Sequence, residues 1–135
     1  MPLSLKDARE LIDKAHQKAD DLGIKVTVAI VDEGGHLVAL GRMDGAPPIS
    51  PQLAEAKAVG AAMFLRDGGA LHKIAEDRPG FFKAADRMVR LPLIPGVGSL
   101  PIKRDGTYVG AIGISGARPE QDLECAEEAI RGIAG

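Results

Sequence analysis

The chain has 135 residues, 45% hydrophobic and 27% charged, a composition that suits one globular domain and excludes a disordered or membrane-spanning chain. Seventeen Lys and Arg against nineteen Asp and Glu leave a net charge of −2, and the only aromatics are Phe64, Phe81, Phe82 and Tyr108; a nucleic-acid binder would carry a basic excess and stacking rings. The single cysteine, Cys125, excludes an intrachain disulfide, and no stretch approaches the roughly 18 apolar residues of a membrane helix. A single domain over residues 1–135 is expected, in the cytoplasm, with neither nucleic acid nor membrane as partner.

An amphipathic helix runs from Ser4 to Leu22. Ser4 and Asp7 have capping-box spacing, and Ala8, Leu11, Ile12, Ala15, Ala19 and Leu22 form one apolar stripe that Gly23 ends. A strand follows from Ile24 to Asp32, with Ile24, Val26, Val28 and Ile30 on one face and Lys25, Thr27, Ala29 and Val31 on the other. Glu33-Gly34-Gly35 turns it into a second strand, His36 to Met43, completing a hairpin.

After a loop over Asp44 to Pro48, Ser50 is the expected N-cap and Pro51 the first residue of a second helix. Leu53, Ala54, Ala58, Ala61, Ala62 and Leu65 form its expected core face, and Gly68-Gly69 its end. Ala70 to Arg90 reads as one or two short helices broken at Pro79-Gly80; Leu91 to Pro101, rich in proline and glycine, is left open. Strands Ile102 to Arg104 and Thr107 to Ser115 are expected around a turn at Asp105-Gly106. In the longer one, Tyr108, Ile112 and Ile114 share a face, opposite Val109, Ala111, Gly113 and Ser115. Pro119 begins a last helix with the stripe Leu123, Ala126, Ile130 and Ile133. Hairpin-joined strands predict an α+β fold, a central antiparallel sheet flanked by helices.

Common catalytic signatures are missing. There is no phosphate-binding loop, Pro101 occupies the third-glycine position of the dinucleotide fingerprint that Gly96 and Gly98 begin, and Ala117 breaks a nucleophile elbow around Ser115. His16, His36 and His72 lie far apart with no cysteine pair, so no metal site is expected. Cys125 reads as a buried structural thiol.

Three stretches together nevertheless carry a resemblance. They are Val31–Ala39 continuing to Arg42-Met43-Asp44-Gly45-Ala46; Ala56-Lys57-Ala58 with Phe64 downstream; and Pro95–Ile102, followed by Asp105-Gly106, Val109–Gly116 and Gln121-Asp122. In this order they resemble the GlcG/HbpS-like family, which includes the C-terminal domain of PduO, across nearly the whole chain. The resemblance implies a profilin-like antiparallel sheet flanked by helices, assembly into homo-oligomers, and haem as a ligand of some members. Glu33 stands where a small residue is common, and Val97 and Ser99 interrupt a glycine run.

The candidate site residues occupy recurrent positions of that resemblance, and each also has a plainer reading. Arg42 and Asp44 either face a ligand, with the guanidinium forking onto a carboxylate or propionate, or form a salt bridge. Lys57, a charge in an alanine-rich helix, either meets an anion or snorkels to solvent. Gly96 and Gly98 either cradle an anion with their N–H groups or satisfy an unusual loop. Gln121 and Asp122, in the first turn of the last helix, either contact a ligand or cap that helix. For haem, His16, His36 and His72 are the candidate axial ligands, His72 with Glu76 one turn away to orient it.

Three functions follow. The first is a small cytoplasmic homo-oligomer that binds haem or a related tetrapyrrole. The second is an enzyme of small-carboxylate or aromatic catabolism, with Asp44 or Asp122 as base and Arg42 or Lys57 stabilising the developing anion. The third is a ligand-free structural oligomer.

Overall fold

A computed structural model describes residues 2–133; the extreme ends of the domain expected over 1–135 lie outside the described residues. The elements are α1 (Leu5–Leu22), β1 (Thr27–Asp32), β2 (Leu37–Arg42), α2 (Ser50–Phe64), α3 (Gly68–Asp77), α4 (Pro79–Asp86), β3 (Ser99–Arg104), β4 (Thr107–Ser115) and α5 (Pro119–Ile130). One sheet, ordered β2-β1-β4-β3, is antiparallel throughout, as the hairpin pattern predicts. No helix among the described residues is long and apolar enough to cross a membrane.

Helix α1 begins as its sequence requires. Asp7 N–H donates to Ser4 Oγ and Ser4 N–H to Asp7 Oδ2, both at 3.0 Å, and Gly23 closes the other end at φ 70°. Its stripe Ala8, Leu11, Ile12, Ala15 and Ala19 packs with α5 against one sheet face, onto Val26, Val28, Ile30, Ile112 and Ile114. Helix α2 covers the other face, where Ala54, Ala58, Ala61 and Ala62 meet Ala29, Val31 and Ala111. The approach is close enough that a side chain at Gly113 would collide with the Ala54 carbonyl and the Ala58 N–H. The alternation read in β1 is therefore the alternation between two cores.

Several local expectations are corrected. Ser50 is the first residue of α2, not its cap; its hydroxyl donates to Pro47 O at 2.6 Å and lies 2.8 Å from Thr27 Oγ1. Leu53 is only half-buried, and Leu65 ends α2 in left-handed backbone at φ 54° with its side chain exposed. Gly68-Gly69 do not stop α2 but start α3, because the Asp67 carboxylate accepts Ala70 N–H at 2.9 Å and caps it. Pro101 lies inside β3 rather than before it, which an edge strand tolerates. In β4 the register skips Val109, since Ile102 faces Gly110 while Lys103 faces Tyr108. This bulge puts Val109, not Tyr108, into the core with Ile112 and Ile114. In α5 the packed face is Asp122, Cys125, Ala126 and Ala129, and Leu123 is only half-buried.

Candidate functional site

Three of the predicted site residues, Lys57, Gly98 and Asp122, converge where α2, the loop before β3 and the start of α5 meet. Lys57 is 8% exposed and Asp122 2%. Lys57 Nζ donates to Ile114 O at 2.9 Å and Val97 O at 3.3 Å, and reaches Asp122 Oδ2 at 3.5 Å. Three acceptors thus match the three N–H donors of the ammonium. The second Asp122 oxygen accepts Ala117 N–H at 3.2 Å. Gly98, at φ 124°, closes over the pair: a side chain there would stand 3.0 Å from Lys57 Nζ and from Ile114 O. Burial pushes the Asp122 carboxyl up to about 6, against the opposing pull of Lys57 and of Ala117 N–H. The geometry makes this cluster an internal tie between helices on opposite faces of the sheet.

The remaining candidates lie elsewhere. The carbonyl of Gly96 rests against the start of α3 at Gly68, and Gln121 Oε1 accepts Arg118 N–H at 3.2 Å, bracing the first turn of α5. Arg42 ends β2 and donates from Nη2 to Ala46 O at 2.6 Å and from Nε at 3.2 Å, folding onto its own loop. Among the described residues no ion pair joins it to Asp44, which is exposed. Arg42 and Ser115 both sit opposite Thr27, so β2 and β4 stand about 10 Å apart across β1. The structure therefore does not bring Arg42 and Asp44 into one pocket with Lys57 and Asp122.

The three histidines are separate too. His16, on α1, is half-buried, with Nε2 3.0 Å from Gly41 O. His72, on α3, places Nε2 3.5 Å from Glu76 Oε1, the carboxylate expected to orient it, with the imidazole 55% exposed. His36 leaves the turn between β1 and β2, with Nδ1 3.3 Å from Asp32 Oδ1 and 73% of the side chain exposed.

Asp32 was not among the sequence candidates. Its Oδ1 also accepts Gly34 N–H and His36 N–H, each at 2.9 Å, so one carboxylate shapes the turn beside the ring. Burial opposes the charged Asp32 carboxylate, but these N–H bonds and the adjacent imidazole prevail and hold its carboxyl below the usual range. The signal was present in the spacing: an aspartate two residues ahead of Gly34-Gly35 in a tight hairpin and four ahead of a histidine. Around this turn Leu37 and Met63 are 44% and 41% exposed, and Met63 lies against Gly35. Arg90 donates to Gly35 O at 2.9 Å and pairs with Glu55 at 2.8 Å.

A groove of about 300 Å³ opens between α2 and the segment before β3, lined by Ile49, Leu53, Ala56, Leu91, Pro92 and Ile94 with Gln52 and Glu55. None of the sequence-predicted site residues lines it. Cys125 is buried, and its thiol is pushed up to about 11 by burial, with Asp122 and Glu124 adding to the effect. Among the described residues no three His, Cys, Asp or Glu side chains are grouped to hold a metal ion.

Residues 3–131 match the family model described as haem degrading protein HbpS-like. The chain is 31% identical over 113 residues to protein GlcG of Escherichia coli K12, covering 84% of this chain and 81% of GlcG. It is 30% identical over 133 residues to the corrinoid adenosyltransferase PduO of Citrobacter freundii, covering 98% of this chain but only 39% of PduO. Among solved structures it is similar to a PduOC:heme complex, with a TM-score of 0.88 and 29% identity over 98% of this chain and 96% of that one. It is also similar to HbpS, with a TM-score of 0.89 and 26% identity over 100% of this chain and 92% of that one.

Proposed function

The chain belongs to the family described as haem degrading protein HbpS-like, and from that membership we propose that it is a cytoplasmic, homo-oligomeric protein that binds haem or a related tetrapyrrole. The observation that carries this reading is the fold shared over 98% of the chain with a structure solved as a haem complex. A fold alone does not assign a ligand, so the donor set has to agree. Haem needs an axial donor, and the chain offers imidazoles at His36 and His72 that are more than half exposed. Cys125, buried with a raised thiol, is no alternative donor. Bound haem would supply a redox-active iron. The chain's part would be to present a ring nitrogen, hold it in orientation and offer apolar surface to the macrocycle.

Two features support binding over proton transfer. The Lys57–Asp122 pair is buried with its polar atoms engaged inside the protein, and Arg42 is folded onto Ala46. Exposed Ile49, Met63, Leu65, Phe81 and Met88 support the oligomeric part of the reading, since such surface favours subunit packing.

The test is a haemin titration followed by absorbance, with His16→Ala, His36→Ala and His72→Ala alongside the parent. A saturable Soret shift in the parent, abolished by one of the three, is the expected result. No shift, or one indifferent to all three, overturns histidine-ligated haem; small carboxylates would then be screened against Arg42→Ala.

A further inference from the structure

Helix α2 carries more apolar surface than the sheet uses. Ala54, Ala58, Ala61 and Ala62 face the sheet. Ile49, just ahead of the helix, and Gln52, Leu53 and Ala56 recur at i, i+3, i+4 and i+7 and make a second face, which is one wall of the groove of about 300 Å³. Leu91, Pro92 and Ile94 make the other wall. That wall is fixed in place. Leu93 is buried against the α2 backbone at Gly60, and its N–H donates to Asp86 Oδ1 at 2.6 Å. Arg90, next to Leu91, donates from Nη2 to Glu55 Oε2 at 2.8 Å and to Gly35 O at 2.9 Å. Two apolar walls in water close on each other unless something holds them apart. These ties hold them, and Ala56, buried at the base with only a methyl group, leaves the space between them open.

The polar groups of the groove define what it accepts. Glu55 is neutralised by Arg90 through Oε2, so the site carries no net charge to reward an ion. Among the described residues Glu55 Oε1 and the Gln52 amide make no hydrogen bond, which leaves a carboxylate acceptor beside an amide that can donate. A hydroxyl is the single group that donates to the first and accepts from the second. The volume lies at the lower end of the range for ligand pockets, which suits one or two rings rather than a tetrapyrrole.

We propose that this groove binds a small uncharged aromatic alcohol of the phenol class, with its ring between Leu53 and Ala56 on one side and Leu91 and Ile94 on the other, and its hydroxyl between Glu55 Oε1 and the Gln52 amide. A phenolic hydroxyl is a stronger donor to a carboxylate than an aliphatic one. No histidine lines the groove, so the proposal stands apart from the haem reading.

The experiment is a titration of the full chain with phenol, anisole, benzoate and benzylamine, followed by the methyl resonances of Ile49, Leu53, Leu91 and Ile94. Phenol should shift these methyls saturably, and anisole, which cannot donate, should bind about tenfold more weakly. Benzoate and benzylamine should also bind more weakly than phenol. Ala56→Leu, which fills the base, should abolish the shifts, and Glu55→Ala should remove the advantage of phenol over anisole. Tighter binding of benzoate or benzylamine overturns the uncharged class, and phenol binding that survives Ala56→Leu overturns the location. Absence of any shift in the parent overturns the site itself. If the oligomer mass in native spectra then changes in Ala56→Leu, the groove holds a second copy of the chain instead.

Discussion

Replacing Lys57 with alanine should destabilise the protein by about 3–5 kcal/mol, the range for breaking a buried ion pair from one side. The residue is 8% exposed, and its removal strands the Asp122 carboxylate, itself 2% exposed, together with the Val97 and Ile114 carbonyls it now satisfies. The loss has two origins, a buried charge without its partner and a cavity where the lysine stem lay. A double replacement, Lys57→Met with Asp122→Leu, should recover most of it, because an apolar pair of similar volume removes both desolvation costs together. Denaturant unfolding of the parent, Lys57→Met, Asp122→Leu and the double variant completes the cycle. A loss below about 1 kcal/mol for Lys57→Ala would mean that water solvates the pair and that it is no internal tie.

The same pair predicts an unusual pH dependence. The Asp122 carboxyl is pushed up from 3.8 to about 6 by burial, so the native state holds a proton that the unfolded chain has already released. Its contribution to stability is therefore fully present below pH 3.8 and is lost as pH rises through about 6, the opposite of an ordinary salt-bridged carboxylate. Asp7, by contrast, is held low by Ser4 N–H and the Arg104 guanidinium, and Asp32 is also held low. Both of those carboxylates gain stability as pH rises. Comparison with Asp122→Asn removes these background terms. The parent should lose about 2–3 kcal/mol relative to Asp122→Asn between about pH 4 and about pH 7. A difference that stays flat, or that grows in the parent's favour, would show that Lys57 outweighs the burial cost and keeps Asp122 ionised at acid pH.

Local signals in the chain are read faithfully by the fold wherever neighbours in sequence decide the outcome. The Ser4–Asp7 box, the Gly23 stop and the alternation in β1 depend on adjacent backbone and on which face is apolar, and all three stand as expected. Expectations fail where distant backbone intervenes. The bulge in β4 exchanges Tyr108 for Val109, and only the partner strand sets that register. Leu53 lies in, and Leu65 caps, a helix whose apolar residues form no single stripe, so nothing local singles out its core face; the small alanines are what let it approach Gly113.

The candidate site divides in the same way. Lys57, Gly98 and Asp122 each stand out in sequence, as a charge among alanines, a glycine in a proline-rich loop and a carboxylate at a helix start. Their meeting depends on the order β2-β1-β4-β3, which brings together residues 40 and 65 positions from Lys57. Their burial is likewise set by packing, which turns apparent ligand contacts into internal ones. Asp32 is signalled by its spacing ahead of Gly34-Gly35 and His36, and the tight turn is what brings it beside the His36 ring.

The reading as a haem-binding homo-oligomer is tested most directly by native mass spectrometry of the full chain mixed with equimolar haemin. The spectrum should show one discrete homo-oligomer with haem on its protomers, and the same oligomer without haem for one of His16→Ala, His36→Ala and His72→Ala. Haem-free protomers of the parent, with no oligomer above them, would contradict it.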